Sequence, residues 1–340
     1  MSLTAPRRGV LILMSTYNGA AYVGEQLESI RRQTVTTWTL LVRDDGSSDG
    51  TVAILDATAA ADPRVVRLAD DAGNLGPAQS FGVLMQAALD RGARYVAFAD
   101  QDDVWHADTL DVQLQARAAR EQAVGPDDPM LVHTDLSVVD EHLHLIHPSF
   151  LAFQGLGSGG PALQQLLTQN FVTGCTTLIN RPLLQLALPL PAVVMHDWWL
   201  ALCAAAAGEI VRVPQSTALY RQHGSNAAGS RGRARAALEA VLRPVRWWQR
   251  ASAAFADTVA QACALEARME GARSAGRHAD ALATVRDYSR AFAPGTGPLR
   301  RLQAVRRHGV RPRSAVRYPL FYYARVALWS NGRAADRTEG

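Results

Sequence analysis

The first two-thirds of the chain alternates short, continuously apolar runs with segments whose apolar residues recur every three or four positions. The runs are "GVLILM" (9–14), "TLLVR" (39–43), "RVVRL" (64–68), "RYVAFA" (94–99) and "MLVHTD" (130–135). The helical periodicity occupies 21–33, 49–61, 77–92 and 107–121, with Asp49 expected as an N-cap and Pro77 opening its helix. Strands that are apolar at every position, rather than at alternate ones, are buried on both faces. The pattern therefore predicts an α/β fold, a mostly parallel Rossmann-like sheet with helices on both faces. Further along, "VVMHDWWLALCAAAAG" (193–208) reads as a helix with Asp197 at its start, and "TALYRQHGSN" (217–226) as the end of a strand.

Ligands of parallel sheets gather beyond the carboxyl ends of the strands. Three polar loops lie there: "STYN" (15–18), "DDGSSDG" (44–50) and "DQDD" (100–103). The G-x-G-x-x-G of a dinucleotide site is missing after the first strand, and there is no P-loop. The phosphates of a bound nucleotide would need another source of positive charge. Carboxylates one residue apart at a strand end can hold a hard divalent cation, Mg²⁺ or Mn²⁺, which also neutralises phosphate. The alternative use of these acids is an Asp-rich turn leading to Asp108 as the cap of the next helix.

Charge divides the chain. Residues 1–230 carry 14 Arg against 23 Asp and Glu, residues 231–340 carry 21 Arg against 8, and there is no lysine. The shift falls at the glycine-containing "NAAGSRGRAR" (226–235) and predicts two domains, 8–228 and a basic, mainly helical extension, 229–340. Three cysteines without paired spacing fit a reducing compartment. The short apolar run after "MSLTAPRR" is below signal-peptide length and no stretch reaches about 20 apolar residues, so a cytoplasmic protein is expected. An acidic cleft domain without a nucleic-acid motif argues against nucleic acid as a partner.

The succession "LMSTYNGAAYVGEQLESIRRQT", "WTLLVRDDGSSDGT" and "FADQDDVW" resembles the family 2 glycosyltransferases, over roughly residues 8–225. The resemblance implies the GT-A nucleotide-sugar fold and a nucleoside-diphosphate sugar as donor. By position in the motifs, Ser15 and Tyr17 border the nucleotide, Asp45 reads the base, and Asp100 lies near the sugar and ribose with Asp102. Asp102 or Asp103 ligates the metal. Asp197 in "HDWW" matches the general base, Arg221 and His223 in "YRQHG" match groups that reach the diphosphate or metal, and Thr173, Gly174 and Trp198 match the acceptor side. Each also has a plain structural use: Ser15 and Tyr17 in shaping a loop, Asp45 and Asp197 as caps, the tryptophans as core. The combination of "ADQDDVW", "NFVTGC", "HDWW" and "YRQHG" is similar to a rhamnosyltransferase-like branch, which implies dTDP-rhamnose and bacterial surface polysaccharide. A nucleotidyltransferase is the rival enzyme class, disfavoured because "STYNGAAY" has no basic residue; a non-catalytic sugar-nucleotide or polysaccharide-binding protein is the rival outside enzymology. In the tail, "ALEAVLRPVRWWQR" (237–250) places Leu238, Val241, Leu242, Val245 and Trp248 on one stripe, with Pro244 expected to kink or end it. With "RYPLFYYARVALW" (317–329) it predicts peripheral contact with an anionic membrane, where a saccharide acceptor on a lipid carrier would be met.

Overall fold

The computed structural model describes residues 9–156, 159–223, 242–271, 279–311 and 319–329. The chain divides into two compact units, residues 1–154 with 171–229, and residues 155–170 with 230–340. The second unit thus includes a short segment (155–170) that the charge pattern gave no reason to separate.

The first unit opens with β1 (Val10–Thr16), α1 (Val23–Arg31), β2 (Trp38–Asp44), α2 (Thr51–Ala61), β3 (Val65–Arg67), α3 (Gly76–Asp90) and β4 (Tyr95–Asp100). Strands β3, β2, β1 and β4 lie side by side in that order, all parallel. Ile12, Leu13, Met14, Leu40, Leu41, Val96 and Ala97 are essentially inaccessible, as expected of strands covered on both faces.

Beyond β4 the sheet becomes mixed. A two-residue strand β5 (Val104–Trp105), helix α4 (Thr109–Val124), β6 (Met130–Val139), β7 (Leu145–His147) and the short α5 (Phe150–Phe153) follow. After α6 (Ala162–Leu166), which belongs to the second unit, come a 3₁₀ turn (Gly174–Thr176), β8 (Thr177–Asn180), α7 (Arg181–Ala187), α8 (His196–Ala207) and β9 (Glu209–Arg221). Strand β8 inserts antiparallel between β4 and β6, β9 runs parallel to β6, and β5 closes that end antiparallel to β9. The strand at 130–135 therefore joins through β8 rather than directly beside β4. Asp49 is not the cap of α2: Gly50 is, and the Asp49 carboxylate instead accepts the N–H groups of Ala20 and Thr51, both at 3.0 Å. One amide comes from the loop after β1 and the other from the first residue of α2.

The second unit contains α9 (Pro244–Gly271), α10 (Ala279–Ala291), α11 (Pro298–Arg307) and α12 (Pro319–Ala327). Leu242 is helical, Arg243 is not, and Pro244 opens the next helix, where a missing N–H costs nothing, so the helical run breaks at this proline as expected. Leu238 and Val241 lie outside the described residues, and Leu242 and Val245 are exposed. Phe255, Tyr288, Phe292, Tyr322 and Trp329 form this unit's aromatic core through edge-on contacts. No helix among the described residues is long and apolar enough to cross a membrane.

One buried polar residue in the first unit carries a stability signature. His196, at the start of α8, stacks on Phe81 with ring centroids 3.9 Å apart and leans on Phe98 at 5.2 Å; neither ring nitrogen has a hydrogen-bond partner. Burial holds its pKa down at about 3. The unfolded chain takes up a proton below about 6.5, whereas the folded chain refuses it, so the stability is complete above 6.5 and is lost as pH falls from there toward 3. His196→Phe should raise stability relative to wild type by about 2 kcal/mol at pH 5 and by much less at pH 8. Thermal melts across that range check it; a wild-type-to-variant difference that does not grow on acidification would contradict the assignment.

Candidate active site

The site grows from the end of β4. Asp100 is that strand's last residue, in register with Ser15 of β1. Residues 101–103 then cross to β5, whose pairing with β9 (Val104 with Leu219, Trp105 with Ala218) fixes the turn from its far side. Asp103 is fully buried; its Oδ1 accepts the Arg221 N–H at 3.3 Å, and its Oδ2 has no partner. Burial, then the charges of Asp102 and Asp100, push its pKa well above the carboxylate range. Part of Asp100 reaches solvent, yet protein crowds its carboxyl, and burial followed by the charges of Asp102 and Asp197 raises it to about 7. The Cys175 thiol, pushed up by burial and then by Asp103 and Asp100, stays protonated. It lies with the Asp100 and Asp103 carboxylates, their ligand atoms all within 4.8 Å of one another.

Positive charge reaches the cluster from the end of β9. His223 Nε2 stands 2.8 Å from Asp102 Oδ2, its ring against Tyr22 at 4.8 Å. Arg221, expected to meet a diphosphate, is only 2% exposed. Its guanidinium donates to Glu25 Oε2 (2.6 Å), to the carbonyl of Glu141 (2.6 Å) and to that of Asp102 (3.0 Å), and lies over the Tyr22 ring. Arg221 therefore braces the aspartate turn from beneath, with Nε, Nη1 and Nη2 each donating to the protein. Neither Glu25 nor Tyr22 was singled out in the sequence, since nothing local ties them to a residue nearly 200 positions away.

Asp197 sits in the first turn of α8 and is 8% exposed. Met195 is the N-cap, so the capping alternative for Asp197 does not hold in its strict form. Its Oδ1 accepts the Trp198 N–H at 2.6 Å and its Oδ2 the Gly174 N–H at 3.0 Å, and the positive end of the helix favours its ionised form. A Cβ at position 174 would stand 3.1 Å from His196 Nε2 and 3.5 Å from Asp197 Cβ, so glycine is what permits this approach. Thr173 closes the same 3₁₀ turn through its hydroxyl, 2.9 Å from that of Thr176. Trp199 is core, donating its indole N–H to the Ala187 carbonyl, while Trp198 is half-buried beside Asp197.

The β1 and β2 loops adjoin the cluster. The Gln101 side chain clasps Tyr17 by both backbone groups, its Oε1 accepting the N–H at 2.9 Å and its Nε2 donating to the carbonyl at 3.0 Å, which leaves the Tyr17 ring 51% exposed. The Ser15 hydroxyl pairs with that of Ser80 at 2.6 Å. Asp45 is 2% exposed and accepts the N–H groups of Leu75 and Gly76, each at 2.8 Å, as well as the Arg43 guanidinium. Gly76 has φ 74°, which favours glycine there. Arg43, missed in the sequence, uses its remaining N–H groups on both Asp70 oxygens, the Gly73 carbonyl and Ser80. The carboxylate expected to read a base is thus committed to shaping the loop. Beside it opens a cavity of about 370 Å³ lined by Asp44, Gly46, Arg67, Leu68, Asp70 and Asp71.

The structure thus gathers Asp100, Asp102, Asp103, His223, Asp197, Gly174 and Thr173 at one edge and joins Ser15 and Tyr17 to it through β1 and Gln101. The residues fit a divalent cation. Three carboxyls share a turn, one buried oxygen has no partner, and the burial and mutual repulsion that raise Asp100 and Asp103 are what a hard cation relieves.

The description "Glycosyl transferase family 2" matches residues 11–181, which carry β1 through β8 and every aspartate of the cluster except Asp197. TuaG of Bacillus subtilis (strain 168), named for teichuronic acid biosynthesis, is 29% identical over 173 residues, 50% of this chain and 61% of TuaG. WfgD of Escherichia coli, a UDP-Glc:α-D-GlcNAc-diphosphoundecaprenol β-1,3-glucosyltransferase, is 26% identical over 56% of this chain and 67% of its own. The dTDP-rhamnosyl transferase RfbG of Shigella flexneri is 31% identical over 98 residues, 28% of this chain and 34% of RfbG. The chain thus spans less than two-thirds of TuaG and about a third of RfbG. In fold it is similar to S. aureus TarS 1–349 in complex with UDP-GlcNAc, with a TM-score of 0.54 and 16% identity over 94% of this chain and 88% of that one. That likeness bears out the GT-A architecture with a helical C-terminal region. Since the match spans half the chain, including strands β1 to β8 and the loops that bear Asp100, Asp102 and Asp103, the protein belongs to glycosyltransferase family 2.

Proposed function

We propose that this glycosyltransferase moves a sugar from a nucleoside diphosphate to a saccharide or lipid-linked acceptor in the synthesis of bacterial surface polysaccharide, in one inverting step. The observation that carries the reading is geometric: Asp197 accepts the Gly174 N–H at 3.0 Å, and the next residue, Cys175, places its sulfur with the Asp100 and Asp103 carboxylates, ligand atoms all within 4.8 Å of one another, so the candidate base adjoins the acidic turn. Asp102, with Asp103 behind it and His223 beside it, would hold Mg²⁺ or Mn²⁺. Bound there, the ion supplies charge to offset a departing diphosphate. Asp197, its two oxygens steered by the Gly174 and Trp198 amides, takes the proton of an acceptor hydroxyl as that oxygen attacks the anomeric carbon. One base facing one leaving group needs no covalent intermediate. The exposed Tyr17 ring and the cavity beside Asp44 and Asp70 are offered to the nucleotide, while Asp45 fixes the loop between them. Trp198, Thr173 and Gly174 would border the acceptor.

For the donor we infer dTDP-rhamnose. The motif combination around Asp102, Thr173, Asp197 and His223 supports it, as does likeness to RfbG. WfgD, which acts on a diphosphoundecaprenol-linked sugar, supports an acceptor on a lipid carrier and hence work at the inner face of the cytoplasmic membrane.

In a thermal-shift screen of nucleotide sugars with Mn²⁺, dTDP-rhamnose should give the largest rise in Tm; a larger rise with UDP-glucose would overturn the donor assignment. Asp197→Asn should cut transfer by about 10²–10⁴-fold while leaving the donor-induced shift in place. Near-normal transfer by that variant would remove Asp197 as base. Asp102→Ala should abolish the Mn²⁺-dependent part of the donor shift, and an unchanged response with and without EDTA would remove the metal.

A further inference from the structure

Where α9 begins, it meets α12. The rings of Trp247 and Phe321 pack edge-on at 5.6 Å, and the Arg325 guanidinium lies over both Trp247 (5.7 Å) and Trp248 (5.3 Å). Arg325 is half-buried, its Nε has no partner, and among the described residues it forms no ion pair with a carboxylate. Burial lowers its pKa with nothing to offset the cost. Around it large apolar side chains remain open: Leu242 is 67% exposed, Val245 68% and Phe321 49%, and Leu328, one turn beyond Arg325, is 70%. The start of α9 is basic. Residues 242–256 contain Arg243, Arg246 and Arg250, α12 contains Arg325, and α11 contains four arginines, with no acid among them; the acids of α9 begin at Asp257. Arg306 of α11 lies over the Tyr323 ring at 5.3 Å, joining that helix to the same surface.

A half-buried guanidinium walled by indoles, its Nε without a partner, fits an anion. Exposed aliphatic and aromatic residues ringed by arginine fit the boundary between headgroups and acyl chains. We propose that the junction of α9 and α12 is a membrane-docking face, in which Arg325 takes a lipid phosphate between Trp247 and Trp248 while Leu242, Val245 and Phe321 enter an anionic bilayer. This deepens, and rests on, the reading that transfer takes place at a lipid surface. A protein or nucleic-acid partner is less suited, because an acidic macromolecule would answer the arginines but leave the aliphatic side chains in water.

Co-sedimentation of the full chain with vesicles of phosphatidylcholine containing about one-third phosphatidylglycerol, against pure phosphatidylcholine, tests it. Wild type should pellet with the anionic vesicles and stay in solution with the neutral ones. Val245→Glu and Leu328→Glu, at exposed positions that folding does not need, should each weaken partition by about tenfold. Arg325→Gln should weaken it several-fold without lowering Tm, and Arg325→Lys should recover part. The proposal fails if wild type ignores the anionic vesicles, if the variants pellet as well as wild type, or if Arg325→Gln lowers Tm without changing partition. It also fails if light scattering shows a dimer that Val245→Glu dissolves, which would make the face an interface between copies. Nucleotide-sugar thermal shifts on the same variants should stay at the wild-type value; their loss in wild type itself would indict the catalytic reading instead.

Discussion

Four carboxylates brought to one sheet edge repel one another, and much of the first unit is arranged around that fact. Asp100 and Asp103 are held where burial and neighbouring charge both favour the protonated form. What keeps the turn in place is Arg221, a buried cation whose backbone N–H and side chain grip Asp103 and Asp102 while its other end is fixed by Glu25 on α1 and by the Glu141 carbonyl. Because Arg221 is buried while Glu25 stands more than half exposed, the brace rests on the two carbonyls and the Asp103 carboxylate as much as on the ion pair. The geometry also explains why the cation here is arginine: three separate acceptors in different directions suit a planar fork and not a point charge.

A second buried arginine performs the same service for the adjoining loops. Arg43 joins Asp45, Asp70, the Gly73 carbonyl and Ser80, so the segments after β2, after β3 and at the start of α3 move as one piece. Through Ser80 this network touches Ser15, and through β1 it reaches the tyrosine that Gln101 clasps. The cleft walls are loops, but loops pinned by buried, charge-assisted bonds behave as part of the sheet. Rigidity matters because donor and acceptor must be held within a few tenths of an ångström for displacement to be favoured.

Much of this was legible in the sequence, for reasons that also mark the limit. Strands apolar at every position can only be buried on both faces, so the parallel half of the sheet and its four helices could be read off directly. The loops at the strand ends followed from topology, and the converging aspartates from their place in those loops. Strand β5, two residues long, and β8, four residues long, are too short for periodicity to register. Strand β9 carries Glu209, Arg212, Gln215 and Ser216, so its apolar end alone looked like a strand. Contacts between distant positions were illegible for another reason: local spacing says nothing of the bonds that tie Asp45 to Leu75 and Gly76 or Arg221 to Glu25. Gln101, sitting between aspartates, drew no notice until the fold put it against Tyr17.

The two arginine-rich solutions in this chain obey different rules. In the first unit Arg43 and Arg221 are fully enclosed and every charge meets an acid or a carbonyl, as burial requires. In the second unit Arg301 is buried on the carbonyls of Ala327 and Trp329, whereas Arg325 is desolvated with aromatic faces alone. A ring face returns only about 0.5–2 kcal/mol to a cation, short of what a carboxylate would give. What sets Arg325 apart is its setting rather than a missing bond alone, since the Nε atoms of Arg117, Arg212, Arg286 and Arg301 are likewise buried without a hydrogen-bond partner: it lies over two indoles beside exposed leucine, valine and phenylalanine, a surface suited to something that arrives from outside.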